Sequence, residues 1–83
     1  MSLERLKTAR KKSIGTKQTA KAIEKGATRT VFVAKDAEEH VVREIVKIAR
    51  ERGLELILVD SMVALGKACG IEVGAATAAI LDA

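Results

Sequence analysis

The 83-residue sequence has no proline, tryptophan or tyrosine, and only one phenylalanine, one cysteine and one histidine. Each shortage closes off a class of function. With Phe32 as its only aromatic residue, the chain cannot build the platforms on which RNA-recognition and OB domains stack bases. A single cysteine, Cys69, rules out an internal disulfide and points to a reducing compartment such as the cytoplasm. Cys69 and His40 together cannot supply a four-ligand zinc site. No apolar run approaches the roughly 20 residues that span a bilayer. The opening segment MSLERLKTARKK lacks the apolar stretch of a secretion signal. An Arg-rich transit peptide is the alternative reading, but Glu4 interrupts it and the pattern beyond continues the fold.

What is present suits one folded domain over residues 1–83, with hydrophobic residues at 48% and room for one modest core. Its charge is unevenly distributed. Residues 1–30 carry nine Lys or Arg against Glu4 and Glu24, a net of +7, whereas residues 31–83 carry six bases against nine acids, a net of −3. A basic patch confined to one third of a domain attracts a polyanion, most often a nucleic acid, through phosphate contacts and counterion release. A solvated basic face without a partner is the plain alternative.

Apolar spacing predicts a helix over residues 2–12, broken at Ser13-Ile14-Gly15. Thr16 is placed as the N-cap of a second helix ending at Gly26, with Ala20, Ile23 and Ala27 inward. Residues 30–34, TVFVA, read as a strand buried on both faces. Asp36 is placed to cap a helix over 37–52 whose inner face holds Val41, Val42, Ile45, Ile48 and Ala49, with Gly53 ending it. Residues 54–59 read as a second buried strand, completing a βαβ unit with parallel pairing. Ser61 caps a short helix to Cys69; residues 70–74 form a loop and 77–81 a last strand. The fold class expected is α/β, a three-layer α/β/α sandwich around a small mixed sheet.

Candidates for catalysis are few. His40 lies in an acidic helix turn and reads as a solvated surface residue, and Cys69 as a small buried hydrophobe. Neither GxGxxG nor GxxxxGK[ST] occurs, so no cofactor is expected. A DNA-binding helix-turn-helix formed by the first two helices fits poorly with three strands elsewhere. The informative segment is GTKQTAK, residues 15–21. A glycine and a capping threonine open a helix whose free amides and positive dipole end face whatever docks there. Lys17, Lys21 and Lys25 recur at i, i+4 and i+8 as one basic stripe, a mutual repulsion that a bound polyanion would offset.

Three segments, GTKQTAKAIEKG, VFVAKDA and LGKACGIEVGAA, stand in an order and spacing that resembles the kink-turn-binding ribosomal protein family, the L-seven-Ae and L-thirty-e group, and most closely its short bacterial branch. The resemblance runs from about residue 13 to residue 81. It implies an α/β/α sandwich, a non-catalytic role and a structured RNA partner: a duplex bent sharply at a short bulge beside tandem sheared G·A pairs. By that resemblance Gly15 and Thr16 approach the RNA backbone, Lys17 and Gln18 read guanines, and Lys21 lies against phosphates or the G·A edge. Ile71, Glu72, Val73, Gly74 and Ala75 close over the bulged nucleotides, with Lys35, and Asp36 as a further candidate, beside them. Archaeal and eukaryotic members carry Asn-Glu where Lys17-Gln18 stand, often a basic residue at Met62, and commonly proline at Gly74; Lys-Gln and Gly match the bacterial branch. The expectation is a monomer in the cytoplasm, associated with the ribosome and free of cofactor, metal and membrane. A ribosomal structural or assembly protein of the same fold, bound to a different RNA or protein surface, is the alternative.

Overall fold

A computed structural model describes residues 2–81; residues 1, 82 and 83 of the expected domain lie outside the described residues. In chain order the elements are α1 (Ser2–Thr8), β1 (Lys12–Ile14), α2 (Thr16–Glu24), β2 (Thr28–Ala34), α3 (Glu39–Glu51), β3 (Glu55–Val59), α4 (Met62–Cys69) and β4 (Thr77–Leu81). The strands form one mixed sheet in the order β1-β4-β2-β3. β2 and β3 pair in parallel across α3, from Thr30 beside Glu55 to Ala34 beside Val59, and β4 runs antiparallel to both β1 and β2.

Strand alternation divides the core in two, as a sheet covered on both faces requires. Phe32, Ala34, Val59 and Ala78 pack with Leu6 of α1 and Leu65, Ala68 and Cys69 of α4 on one face. Val31, Val33 and Ala79 pack with Ile23 of α2 and Val42 and Ile45 of α3 on the other. The expected α/β/α sandwich is thus observed, around four strands rather than three.

The added strand is β1, where an irregular break was expected. Its three residues are too few to show a period, and β4 supplies the pairing that defines it, with Lys12 beside Ile80 and Ile14 beside Ala78. The first helix ends at Thr8 accordingly. The second correction concerns β3. It is not buried on both faces but forms the outer edge of the sheet, and Leu58 is 57% exposed. α3 leaves it partly uncovered, so that Leu56 and Leu58 line an open groove of about 380 Å³ with Val42 and Val46. Val41 also faces solvent, at 36% exposure, instead of joining the inner face of α3. α3 begins at Glu39, two residues later than expected. Its N-cap is Glu38, whose side chain makes no capping hydrogen bond, and Asp36 is engaged elsewhere.

α1 is tied across the sheet by its arginine. Arg5 donates through both terminal nitrogens to the Glu55 carboxylate, each at 2.8 Å, and the Thr30 hydroxyl donates to the same group at 3.1 Å. The hydrogen bond from Arg5 holds the Glu55 carboxyl below the usual carboxylate range, with the Thr30 hydroxyl adding to it, and the same bond raises the Arg5 guanidinium. On the same face of the sheet burial pushes the Cys69 thiol up, partly opposed by the charge of Lys12. Cys69 packs in the core as expected.

Candidate nucleic-acid interface

The topology brings the sequence-predicted residues to one end of the sheet. β1 and β2 run antiparallel to β4, so the C-terminal ends of β1 and β2 lie beside the start of β4, and the end of β3 lies beside that of β2. Gly15 follows β1, Lys35 follows β2, and residues 71–75 lead into β4. Two backbone hydrogen bonds close this end: Gly15 N–H donates to the Thr77 carbonyl and Ala34 N–H to the Ala76 carbonyl, each at 2.9 Å.

At the mouth of α2 the cap is Gly15, not Thr16 as expected. Its φ of 98° and ψ of 156° turn the chain from strand to helix in one residue, a conformation that a side chain would strain. Thr16 is instead the first helical residue. A Ser, Thr, Asn or Asp cap would place an oxygen on the amides of the first turn; Gly15 has none. The first intrahelical bond runs from Thr19 N–H to the Gly15 carbonyl, so the amides of Thr16, Lys17 and Gln18 have no partner among the described residues. Free amides at the positive end of a helix dipole form an anion-binding end.

The helix behind this end is well seated. Ile23 and Ala22 are buried, and the buried Thr77 hydroxyl donates to that of Thr19 at 3.3 Å, joining α2 to β4 directly beneath the site. Lys17, Gln18, Lys21 and Lys25 are exposed, as the stripe predicts, and none of these lysines is ion-paired among the described residues. Gln18, Lys21 and Lys25 line a shallow cleft of about 220 Å³ against Ser13, whose buried hydroxyl oxygen has no partner among the described residues.

The second half of the site is the segment 71–75, anchored on α4. Gly70 ends that helix in the left-handed conformation, Ile71 N–H donates to the Gly66 carbonyl, and Ala75 N–H donates to the Met62 carbonyl, both at 3.0 Å. Ala75 is 5% exposed, so it serves as the anchor of the loop rather than a contact surface. Glu72, Val73 and Gly74 face outward, and Val73 stands 71% exposed. Lys35 lies on the same end with its ammonium 3.6 Å from the Asp60 carboxylate.

Asp36 was expected to cap α3. Its carboxylate instead accepts the Met62 N–H at 2.8 Å, at the start of α4, where Ser61 Oγ accepts from Ala64 at 3.0 Å as expected. Gly66, mid-helix in α4, was not singled out in the sequence, although a glycine inside a helix is costly enough to signal a close approach. His40 is exposed, 3.6 Å from the Glu38 carboxylate. Among the described residues no cluster of three or more His, Cys, Asp or Glu could hold a metal ion, and no helix is long and apolar enough to cross a membrane.

A family model described as the ribosomal protein L7Ae/L30e/S12e/Gadd45 family matches residues 2–83. The chain belongs to that family. Among its relatives, an "RNA-binding protein" of Bacillus pumilus is 47% identical over 81 residues, covering 98% of this chain and 99% of that one. The large ribosomal subunit protein eL8 of Halobacterium salinarum is 44% identical over 70 residues, 83% of this chain and 58% of the longer archaeal protein. In structure, the Giardia lamblia 15.5kD RNA binding protein superposes with a TM-score of 0.87 over 99% of this chain and 72% of that one, at 24% identity, a likeness of fold.

Proposed function

We propose that this L7Ae-family chain is a non-catalytic RNA-binding protein that recognises kink-turn RNA and stabilises its bent form. RNA binding is supported by its family and by the names its relatives carry. The observation that carries the finer reading is the convergence at one end of the sheet of an uncapped, lysine-bearing helix mouth and a held aliphatic loop.

The two parts suit the two problems that a kinked duplex poses. A-form RNA hides its base edges in a deep, narrow major groove, which a kink opens. The end of α2 enters there: Gly15 and Thr16 lie against the backbone, Lys17 and Gln18 donate to guanine O6 and N7, and Lys21 meets phosphates. Ile71, Glu72, Val73 and Gly74 cover the bulged nucleotides, and Lys35 stands beside them. Binding shifts an existing RNA equilibrium toward the bent state, since only that state offers both surfaces. The protein acts as a monomer in the cytoplasm. The likeness to an archaeal ribosomal protein favours a place on or near the ribosome.

A gel shift tests this with a kink-turn RNA and a partner in which Watson–Crick pairs replace the G·A pairs. Preferential binding of the first is expected. Equal affinity for both would favour the second reading, a ribosomal or assembly protein of the same fold that recognises a different surface.

A further inference from the structure

The loop that bears Val73 is held against α4 more closely than any side chain would permit. A Cβ on Gly66 would fall inside van der Waals distance of the Val73 carbonyl oxygen, with the Val73 carbonyl carbon at 3.1 Å and Gly74 Cα at 3.2 Å. A Cβ on Gly74 would in turn lie 3.1 Å from Met62 Cβ. The backbone of 73–74 therefore lies directly on the helix, with glycine on both sides of the contact.

Hydrogen bonds then close a ring around this contact. Asp36, just past the end of β2, accepts from Met62 N–H; the Met62 carbonyl accepts from Ala75 N–H; and the neighbouring Ala76 carbonyl accepts from Ala34 N–H at the end of β2. The loop, the start of α4 and the end of β2 are locked together, and the Asp36 carboxylate is the ring's one side-chain link.

We infer that Gly66 and Asp36 are positioning residues for RNA: they fix the height and angle at which Val73 meets the ligand without touching it themselves. The inference rests on the RNA-binding reading above. A loop already in place loses little freedom on binding, and a loop released from its clamp must be ordered at the expense of affinity.

Electrostatics makes Asp36 a sharp test. Removing a negative charge beside an RNA surface strengthens binding if charge alone matters. Asp36→Ala also removes the acceptor for Met62 N–H, and positioning predicts the opposite sign, an affinity loss of about tenfold, the worth of one hydrogen bond left unmade. Asp36→Asn keeps an acceptor oxygen in place and is expected to bind at least as tightly as the parent. Gly66→Ala, which forces the Val73 carbonyl away, is expected to weaken binding at least as much as Asp36→Ala.

The experiment measures dissociation constants for the kink-turn RNA and its Watson–Crick counterpart with the parent chain and all three variants, together with amide hydrogen exchange of Ile71 and Ala75 without RNA. Loss of affinity in Asp36→Ala and Gly66→Ala, retention in Asp36→Asn, and faster exchange at Ala75 in Asp36→Ala support the inference. A parent that discriminates the two RNAs while Asp36→Ala binds as tightly as Asp36→Asn overturns it. A parent that fails to discriminate overturns the kink-turn reading instead. The exchange data then decide the clamp alone, and unchanged exchange at Ala75 in Asp36→Ala refutes it. Should Gly66→Ala not fold, the two Asp36 variants carry the comparison.

Discussion

The two halves of the candidate interface are built in opposite ways. The mouth of α2 offers unpartnered amides and exposed lysines on a helix rooted in the core by Ala22 and Ile23. The loop carries one charged side chain, Glu72, exposes an aliphatic one, Val73, and is held by backbone hydrogen bonds to α4. Attraction through the first depends on salt and reaches across a Debye length; contact through the second depends on shape and ignores salt. In the proposed reading, a polyanion is drawn to one half and fitted by the other.

The two halves rest on opposite faces of one sheet, and the largest effects come from breaking the packing on it. Leu65→Ala, in the face beneath α4, is expected to cost about 2–5 kcal/mol in chemical denaturation. Because sheet and helices unfold together, amide exchange should quicken at Thr19 as well as at Ala75; acceleration confined to Ala75 would separate the halves. Next come the polar groups of the helix mouth. Lys17→Ala and Gln18→Ala should each cost about 1–3 kcal/mol of binding to kink-turn RNA if they reach base edges. A loss that is the same for RNA lacking the G·A pairs would reduce them to phosphate contacts. The contrast in salt response is sharper still. Val73→Ala is expected to cost about 1 kcal/mol at every ionic strength, from the apolar surface removed. Lys21→Ala should instead lower the slope of log affinity against log salt by about 0.9, one phosphate contact. Identical slopes in the two variants would erase the division of labour.

The smallest effect lies away from both halves. The Glu55 carboxyl is held below its ordinary value in the folded chain, so its contribution to stability is present above that value, near pH 4.3, and fades as pH falls through the lower folded one. Glu55→Gln should remove that part of the acid dependence and leave RNA affinity unchanged. A change in affinity would connect the Arg5 tether to the interface.

Elements with a full period were legible in the sequence. α2, α3 and α4 each present enough turns for apolar spacing to appear, and β2 and β4 are bounded by glycine or polar turns. β1 was not legible, because three residues hold no pattern and only β4 makes them a strand. β3 was legible as a strand but not as an edge, since ELILV is as apolar as a central strand and only the strand order puts it at the rim, with Leu58 57% exposed. Asp36 shows the limit of local rules. A carboxylate directly before an expected helix reads as its cap, yet the amide that it meets is 26 positions away in sequence, at Met62. The residues proposed for the site came from their motifs, although Ala75 among them is buried. The clamp around them was not, because it is made of backbone contacts that only the assembled fold brings together.

The place of β4 in the sheet has a consequence for how a copy of this protein is made. β1 and β2 do not pair with each other; each pairs with β4, which follows both in the chain. Until Thr77 is made and free to pair, β1 has no neighbour and the Gly15 amide lacks its acceptor, the Thr77 carbonyl. This end of the sheet is therefore completed last. A chain cut short before Thr77 would keep its lysines but lack the strand against which β1 and the mouth of α2 are set.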